Sequence, residues 1–283
     1  MVPPQITILT MKHSRLLLAL LIFPVLLCHT AAAGNLPFKG GERISYKIHY
    51  KWGFINADIA ELNVSLSEET YNGTPCFRLQ TSGGTSDFIK NLVKVNYSYD
   101  SRFATGTLEP LLFKREQTEG DYWAKNLYTW SDGGRTLNAH VDKSTRGPRD
   151  TVMKADRPIY DVITVLYALR AADLDAVKKG GKLHFVIALD RNMDDVYVTY
   201  ETTESKKSRE MGEMQADKFC LKIVPRKGNE NLSKESVVAI SNSNDDKLSP
   251  VYLWMSTDDS RRLLFFSTQL AVGSINGRII KAE

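Results

Sequence analysis

The chain has 283 residues, with 37 Lys and Arg against 33 Asp and Glu, and charges of both signs are mixed along its length. The formal net charge of +4 argues against nucleic acid or an anionic membrane surface as the principal partner. A chain of this length is compatible with one large β domain or two modest domains, and it is long enough to bury a substantial core.

The N-terminal region has the features of a secretory signal peptide. From Met11 the sequence shows two basic residues, Lys12 and Arg15, then an apolar run over 16–28, and then three alanines ending at Ala33. This order predicts that translation starts at Met11, that residues 1–33 are removed, and that the mature protein is exported. A membrane anchor is the alternative, but a bilayer-spanning helix needs about 20 apolar residues, more than this run supplies.

Most of the remaining sequence has the pattern of β-strands. The segment ERISYKIHYKWG at 42–53 alternates apolar and polar side chains, which is typical of a strand with one buried face. About fourteen predicted strands, among them ESVVAIS at 235–241, follow one another with short turns such as Asn72-Gly73 between them. Short turns require antiparallel pairing. We therefore predict one mainly β domain over 34–283, built as a large curled antiparallel sheet or a partly open β-barrel.

One segment interrupts the strand pattern. RPIYDVITVLYALRAADLD at 157–175 carries apolar residues at helical spacing, with Asp156 as the predicted N-cap and Pro158 in the first turn. Because this helix is apolar on nearly all sides, we expect it at the centre of the protein, covered by the concave face of the sheet. Two roles remain open: a permanent part of the core, or a lid that moves about Gly180-Gly181.

Four segments resemble, in this order, the blocks of the DUF3108 family of exported bacterial proteins of unknown function. They are PFKGGERISYKIHYKWGFINADIAELNV at 37–64, TLEPLLFKREQTEG at 107–120, PIYDVITVLYALRAAD at 158–173 and SPVYLWMSTDDSRRLLFFSTQLAVGSINGRI at 249–279. The resemblance covers nearly the whole predicted mature chain. It implies a periplasmic or outer-membrane-associated β protein of Gram-negative bacteria, with no established reaction.

The sequence lacks the common catalytic signatures. It contains no G-x-S-x-G, H-E-x-x-H, P-loop or C-x-x-C motif. The three histidines beyond residue 33, which are His49, His140 and His184, lie on separate segments, and scattered imidazoles are more often structural than metal ligands. We therefore predict a protein that is not an enzyme and carries no cofactor.

A weak match to a calcium-binding loop occurs in DRNMDDVYVTYE. Asp190, Asn192 and Asp194 occupy the first, third and fifth positions, and Glu201 occupies the twelfth. The sixth position is Asp195, although the sharp bend of a calcium loop requires glycine there. A polar turn between two strands explains the same residues, and we favour the turn.

Two cysteines lie beyond residue 33. Cys76 and Cys220 each open a similar strand segment, and an exported protein can join such a pair in a disulfide. The alternative, which we favour, is two separate buried thiols, because nothing in the sequence places their Cα atoms within bridging distance.

Aromatic residues give the best indication of a ligand site. We expect Trp52, Tyr160, Tyr167 and Trp254 to line a site between the helix and the inward face of the sheet, where aromatic faces suit an acyl chain or a sugar ring. The alternative is that all four only complete the core. The resulting hypothesis is a monomeric envelope protein that binds a lipid or another amphiphile. A structural protein that meets an envelope partner, and an enzyme acting on a glycan or lipid, are the second and third hypotheses.

Overall fold

The computed structural model describes residues 36–86, 94–226, 249–270 and 272–283. The predicted signal peptide at 1–33 and the predicted strand at 235–241 lie outside the described residues. One compact unit spans Asn35–Glu283. Within the described ranges, no helix combines the length and the apolar character needed to cross a membrane.

Fifteen strands and two short helices form the described part of the chain. The strands are β1 (Arg43–Trp52), β2 (Ile55–Tyr71), β3 (Thr74–Thr85), β4 (Val95–Ala104), β5 (Pro110–Glu119), β6 (Tyr122–Ser131), β7 (Thr136–Lys143), β8 (Arg149–Lys154), β9 (Ile159–Tyr160), β10 (Leu183–Leu189), β11 (Asn192–Ser208), β12 (Gly212–Pro225), β13 (Val251–Ser256), β14 (Leu263–Gln269) and β15 (Ser274–Ala282). The helices are α1 (Thr164–Ala171) and α2 (Leu174–Lys178), both between β9 and β10.

All fifteen strands belong to one sheet. Its order is β8-β7-β6-β5-β4-β3-β2-β1-β15-β14-β13-β12-β11-β10-β9, so neighbouring strands are consecutive in sequence except where β1 meets β15. Every neighbouring pair is antiparallel except the short β9 and β10, which run parallel. The predicted fold class, a large antiparallel curled sheet or partly open barrel around a helix, is confirmed.

The two edges of the sheet lie side by side, because β8 and β9 are the edge strands and are also consecutive in the chain. Polar contacts cross this seam. The Trp130 indole nitrogen on β6 donates to the Ile159 carbonyl oxygen on β9 at 2.7 Å. In the β10–β11 turn, the Asp190 carboxylate is 3.1 Å from Arg115 Nη1 and 2.7 Å from Lys143 Nζ, on β5 and β7. The sheet is therefore a nearly closed barrel.

The helical segment differs from the prediction of one helix over 157–175. The α-helix begins only at Thr164, because the Asp161 carboxylate, fully buried, accepts hydrogen bonds from the backbone nitrogens of Ile163 and Thr164 at 2.9 Å each. Before it, Ile159 is fully buried and pairs with Val186 of β10. Packing at the seam thus overrides the helical spacing of the sequence in this part of the segment.

Helix α1 lies inside the curl of the sheet and contacts both of its halves. Val165 and Leu169 pack with side chains of β10 to β13, such as Phe219 and Leu253. Tyr167 packs on the opposite side with Phe103 of β4 and with other side chains of β2 and β3. A helix held between two walls in this way is part of the core.

Gly180-Gly181 terminates α2. The Gly180 and Gly181 backbone nitrogens donate to the carbonyl oxygens of Val177 and Ala176, both at 3.0 Å. Gly180 has φ of +97°, which favours glycine, and a Cβ on Gly181 would lie 2.7 Å from the Ala176 oxygen. Both glycines are therefore required by the end of the helix itself.

Candidate ligand-binding cavity

A cavity of about 360 Å³ lies between α1 and the inner face of the sheet. The segment 162–170 forms one wall, and inward side chains of β1, β2, β3 and β10 to β14 form the others. Most of the lining is aliphatic: Ile44, Leu62, Val64, Leu79, Val162, Ile163, Val165, Leu166, Ile187, Leu189, Val196, Leu221, Ile223, Val251, Leu253 and Leu263. The volume falls within the range of about 300–1,000 Å³ typical of small-molecule sites.

Among the described residues of the lining, polar side chains occupy a few positions. Arg170, Tyr46, Tyr167 and Thr81 lie at the end of the cavity near the start of β1. Asn192 and Asp194, at the start of β11, mark the opposite end. The cavity therefore has an apolar middle and two polar ends, a distribution that suits an elongated amphiphile better than a compact polar ligand.

The first polar end is a buried ion pair. Arg170 Nη1 and Nη2 donate to the Glu42 carboxylate at 2.6 and 2.7 Å, and the Tyr167 hydroxyl donates to the same carboxylate at 2.8 Å. The Arg170 guanidinium also lies over the rings of Phe38 and Tyr167, at 5.1 and 4.8 Å from their centroids. These contacts attach α1 to the chain segment that precedes β1.

The charges in this cluster keep Glu42 ionised. Burial alone would raise the pKa of Glu42, but hydrogen bonds from Arg170 and Tyr167, together with the charges of Arg170 and Arg262, lower the pKa below its ordinary value. Arg261 completes the arrangement at the C-terminal end of α1, where its Nη1 donates to the Ala172 carbonyl oxygen at 2.8 Å. The helix is thus held by hydrogen bonds at both of its ends.

The second polar end contains a carboxyl group with an unusual pKa. Asp194 is 6% exposed, and burial, with a smaller contribution from the charge of Asp195, raises the pKa of Asp194 to about 6. Asp195 itself faces away from the cavity and accepts hydrogen bonds from Arg226 and His184. The side chain of Asp194 therefore exchanges its proton near neutral pH at one end of the apolar cavity.

The structure brings one of the four predicted aromatic residues to the cavity. Tyr167 borders it, with its ring against the lining and its hydroxyl on Glu42. Tyr160 is half-buried on β9, where it packs edge-on against Phe185 with ring centroids 5.9 Å apart. It belongs to the core beside the cavity and is absent from the lining.

The two tryptophans lie elsewhere. Trp254 is on the outer face of β13, where its indole nitrogen donates to Glu204 Oε1 at 2.5 Å and Lys206 Nζ lies 4.2 Å from its ring centroid. Trp52 is the last residue of β1, and 51% of its side chain is exposed. Neither reaches the cavity, so the four aromatic residues do not form one site.

The residues of the weak calcium-loop match do not converge. Asp190, with φ of +55°, forms a tight turn with Arg191 and is ion-paired across the seam, while Glu201 is exposed on β11. Asn192 and Asp194 face the cavity. Within the described stretches, no three His, Cys, Asp or Glu side chains are grouped to hold a metal ion. The geometry is that of the polar turn.

The disulfide considered from the sequence is not formed. Cys76 on β3 and Cys220 on β12 are both free thiols, and five strands lie between β3 and β12 in the sheet order. Cys76 is fully buried and Cys220 is partly buried on the outer face of the sheet.

The sequence did not identify Arg170 and Asp194 as residues of the cavity, or Glu42 as the partner of Arg170. For Arg170 a signal is present, because a single charged residue within an otherwise apolar helix requires a buried partner. The partner, Glu42, is 128 residues away in the sequence, and no local pattern connects the two.

The fold and cavity define a barrel-like antiparallel β protein with an internal apolar cavity. Residues 45–279 match the family described as "Protein of unknown function (DUF3108)", and the chain belongs to that family. No curated protein matches the sequence. A solved structure, the crystal structure of a beta-barrel-like protein of domain of unknown function DUF1849 from Brucella abortus, is similar with a TM-score of 0.54 and 8% sequence identity. The match covers 86% of this chain and 96% of that chain, and shows a shared fold.

Proposed function

We propose that this protein binds a lipid-like amphiphile of the cell envelope in the cavity beside α1, and that it does so as an exported protein without catalysis of its own. The observation that carries the proposal is the 360 Å³ cavity with an aliphatic middle and polar ends. The signal-peptide pattern at 11–33 supports the envelope location.

Packing energetics support a ligand in this space. Protein interiors are close-packed, and side chains that border unfilled space lack packing contacts on that side. The 360 Å³ space leaves the aliphatic side chains around it without such contacts, and aliphatic groups offer water few hydrogen-bond partners. An apolar chain would restore the missing contacts.

The anchoring of α1 favours a fixed wall over a movable lid. The buried Asp161 cap holds its start, and the Arg170–Glu42 ion pair holds its end. Gly180-Gly181 terminates α2 and so has a structural role without any hinge motion. We therefore expect the amphiphile to enter along α1 without displacing it.

The direct test has two parts. Lipid extracts of protein purified from its native envelope, analysed by mass spectrometry, should contain one amphiphile class in stoichiometric amount. After removal of that lipid, a fluorescent fatty acid should bind saturably at one site per chain. Val64→Phe, which projects a larger ring into the cavity, should weaken this binding about tenfold or more, at a stability cost of about 1–3 kcal/mol.

Val224→Phe is the matched control, because Val224 lies on β12 with 36% of its side chain exposed and outside the cavity lining. It should bind the fatty acid as the unchanged protein does. The proposal is rejected if the delipidated protein shows no saturable binding, or if Val64→Phe and Val224→Phe bind equally well while both remain folded.

A further inference from the structure

Three large apolar side chains are exposed together at one end of the barrel. Phe54 is 96% exposed and Trp52 is 51% exposed, both at the turn between β1 and β2. Val272, at the turn between β14 and β15, is 49% exposed. We call residues 51–55 of the first turn and residues 272–274 of the second the tip. Exposed apolar side chains that cluster in this way mark interaction surfaces.

The two turns of the tip are held together as one unit. Lys51 pairs with Ser274 across β1 and β15, and the Tyr50 hydroxyl donates to the Val272 carbonyl oxygen at 3.0 Å. A Cβ on Gly273 would lie 2.4 Å from the Lys51 carbonyl oxygen, so the turns approach as closely as glycine allows. The apolar side chains are therefore presented on a defined backbone.

The sequence segments that contain the tip carry no acidic residue. Residues 48–57 contain Lys51 and His49 but no acidic residue, and residues 268–277 contain no charged residue at all. The nearest carboxylate along β2, Asp58, is neutralised by a bidentate pair with Arg278 at 2.8 and 2.9 Å. Nothing in these two turns would repel a surface that carries phosphate groups.

The tip lies at the end of the sheet where the cavity has its Asn192 and Asp194 side chains. Val251, which borders the cavity, pairs with Thr268, and Thr268 pairs with Ile275, which in turn pairs with Tyr50. Val251 of the cavity wall therefore lies in the same row of paired residues across the strands as Tyr50, which is two residues before Trp52 on β1.

We infer that the tip inserts into the surface of a phospholipid bilayer. Trp and Phe are suited to the boundary between head groups and acyl chains, and the Lys51 stem can follow apolar surface while its ammonium stays with the phosphates. A protein partner fits less well. Aromatic side chains bury about 150–250 Å² each, so the tip falls short of the roughly 800 Å² that each partner of a stable protein interface buries.

Bilayer insertion is independent of the balanced net charge of the chain, because apolar side chains supply most of the attraction. It also extends the proposed function, since docking through the tip would bring one end of the cavity to the membrane from which an amphiphile comes. The inference about the tip does not require that the cavity binds a ligand.

The test is co-sedimentation of the purified protein with vesicles of phosphatidylethanolamine and phosphatidylglycerol. The protein should bind, and Trp52→Ser combined with Phe54→Ser should lower the partition coefficient about tenfold or more. Val152→Ser and Met211→Ser, which replace side chains 61% and 38% exposed elsewhere, should leave it unchanged. Binding should persist at about 1 M sodium chloride, where the Debye length is about 3 Å.

The inference is overturned if the unchanged protein does not sediment with the vesicles, or if the Trp52→Ser/Phe54→Ser double variant sediments as before. It is also overturned if light scattering shows a dimer that only this double variant disrupts, because the tip would then join two copies of the chain. Val64→Phe separates the two proposals: it should weaken fatty-acid binding about tenfold or more and keep vesicle binding. Thermal unfolding of each variant verifies that it is folded.

Discussion

Two leucines of α1, when each is changed to alanine separately, should lower the free energy of unfolding by clearly different amounts. Leu169 is 2% exposed and packs in the core with β11 to β13, whereas Leu166, three residues earlier, is half-buried and borders the cavity. Changing Leu169 to Ala removes three buried carbons, worth about 2.4 kcal/mol in transfer free energy. The new void adds a further cost, so the expected loss is about 3–5 kcal/mol.

Changing Leu166 to Ala should cost about 1 kcal/mol. The Leu166 side chain already adjoins unfilled space, so its removal enlarges an existing cavity and loses contacts on one side only. Urea unfolding of both variants, followed by far-ultraviolet circular dichroism and fluorescence, gives the two free energies by linear extrapolation. The delipidated protein must be used, because bound ligand would add to both values.

The comparison would refute the described geometry if the two losses agreed within about 0.5 kcal/mol, or if Leu166→Ala were the more damaging change. Either result would mean that Leu166 is packed on all sides and that no cavity lies beside α1. A change in the slope with urea would instead show that the surface exposed on unfolding has changed or that the variants no longer unfold in two states.

Three other outcomes follow from the sequence and the site. Asp194→Asn should stabilise the protein at pH 7. The pKa of Asp194 is about 6 in the folded protein against 3.8 in the unfolded chain, so the unchanged protein loses about 3 kcal/mol of stability as the pH rises from about 4 to 6. Urea titrations across that range should show a flatter dependence of stability on pH for the variant. Arg170→Met should cost about 3–5 kcal/mol at pH 7, because buried Glu42 would lose its bidentate partner and keep only Arg262, whose Nε is 3.8 Å from the carboxylate, and adding Glu42→Gln should recover part of this loss in the same assay. N-terminal sequencing of protein from the envelope should begin at Gly34, and a chain that still began at Met11 would contradict export with cleavage.

Specific results would contradict the predictions for Asp194→Asn and Arg170→Met. An unchanged pH profile for Asp194→Asn would mean that Asp194 is ionised at pH 5 in the folded protein. A loss under about 1 kcal/mol for Arg170→Met would mean that Glu42 is solvated.

The antiparallel architecture could be predicted from local patterns. Alternation along β1 and glycine turns such as Asn72-Gly73 specify strands that return on themselves, and these signals are contained within a few residues. The parallel pairing of β9 could not be predicted, because Ile159 and Tyr160 continue the helical spacing that follows them. What decides their conformation is the seam, which forms between residues far apart in the sequence.

The aromatic lining was harder to predict, for two different reasons. Alternation correctly groups Trp52 with Ile44 and Tyr46, but it does not say how far along β1 the inner layer extends, and Trp52 lies beyond that layer. In β13 both faces are apolar, so the pattern does not show whether Leu253 or Trp254 points inward. The polar ends of the cavity depend on pairs such as Glu42 and Arg170, for which a single sequence contains no evidence of contact.

The order of strands in the sheet also bears on how the chain folds. The one neighbour pair that is distant in sequence is β1 with β15, and the Arg43 and Glu283 backbones exchange hydrogen bonds there, at 3.2 and 2.9 Å. If the chain were joined at that point and opened between β8 and β9, all neighbouring strands would be consecutive in sequence. The natural order thus makes the centre of the sheet depend on a contact spanning most of the chain, which raises the contact order and slows folding. During that delay β1 and β15 would remain unpaired edges, exposed to pairing with other chains.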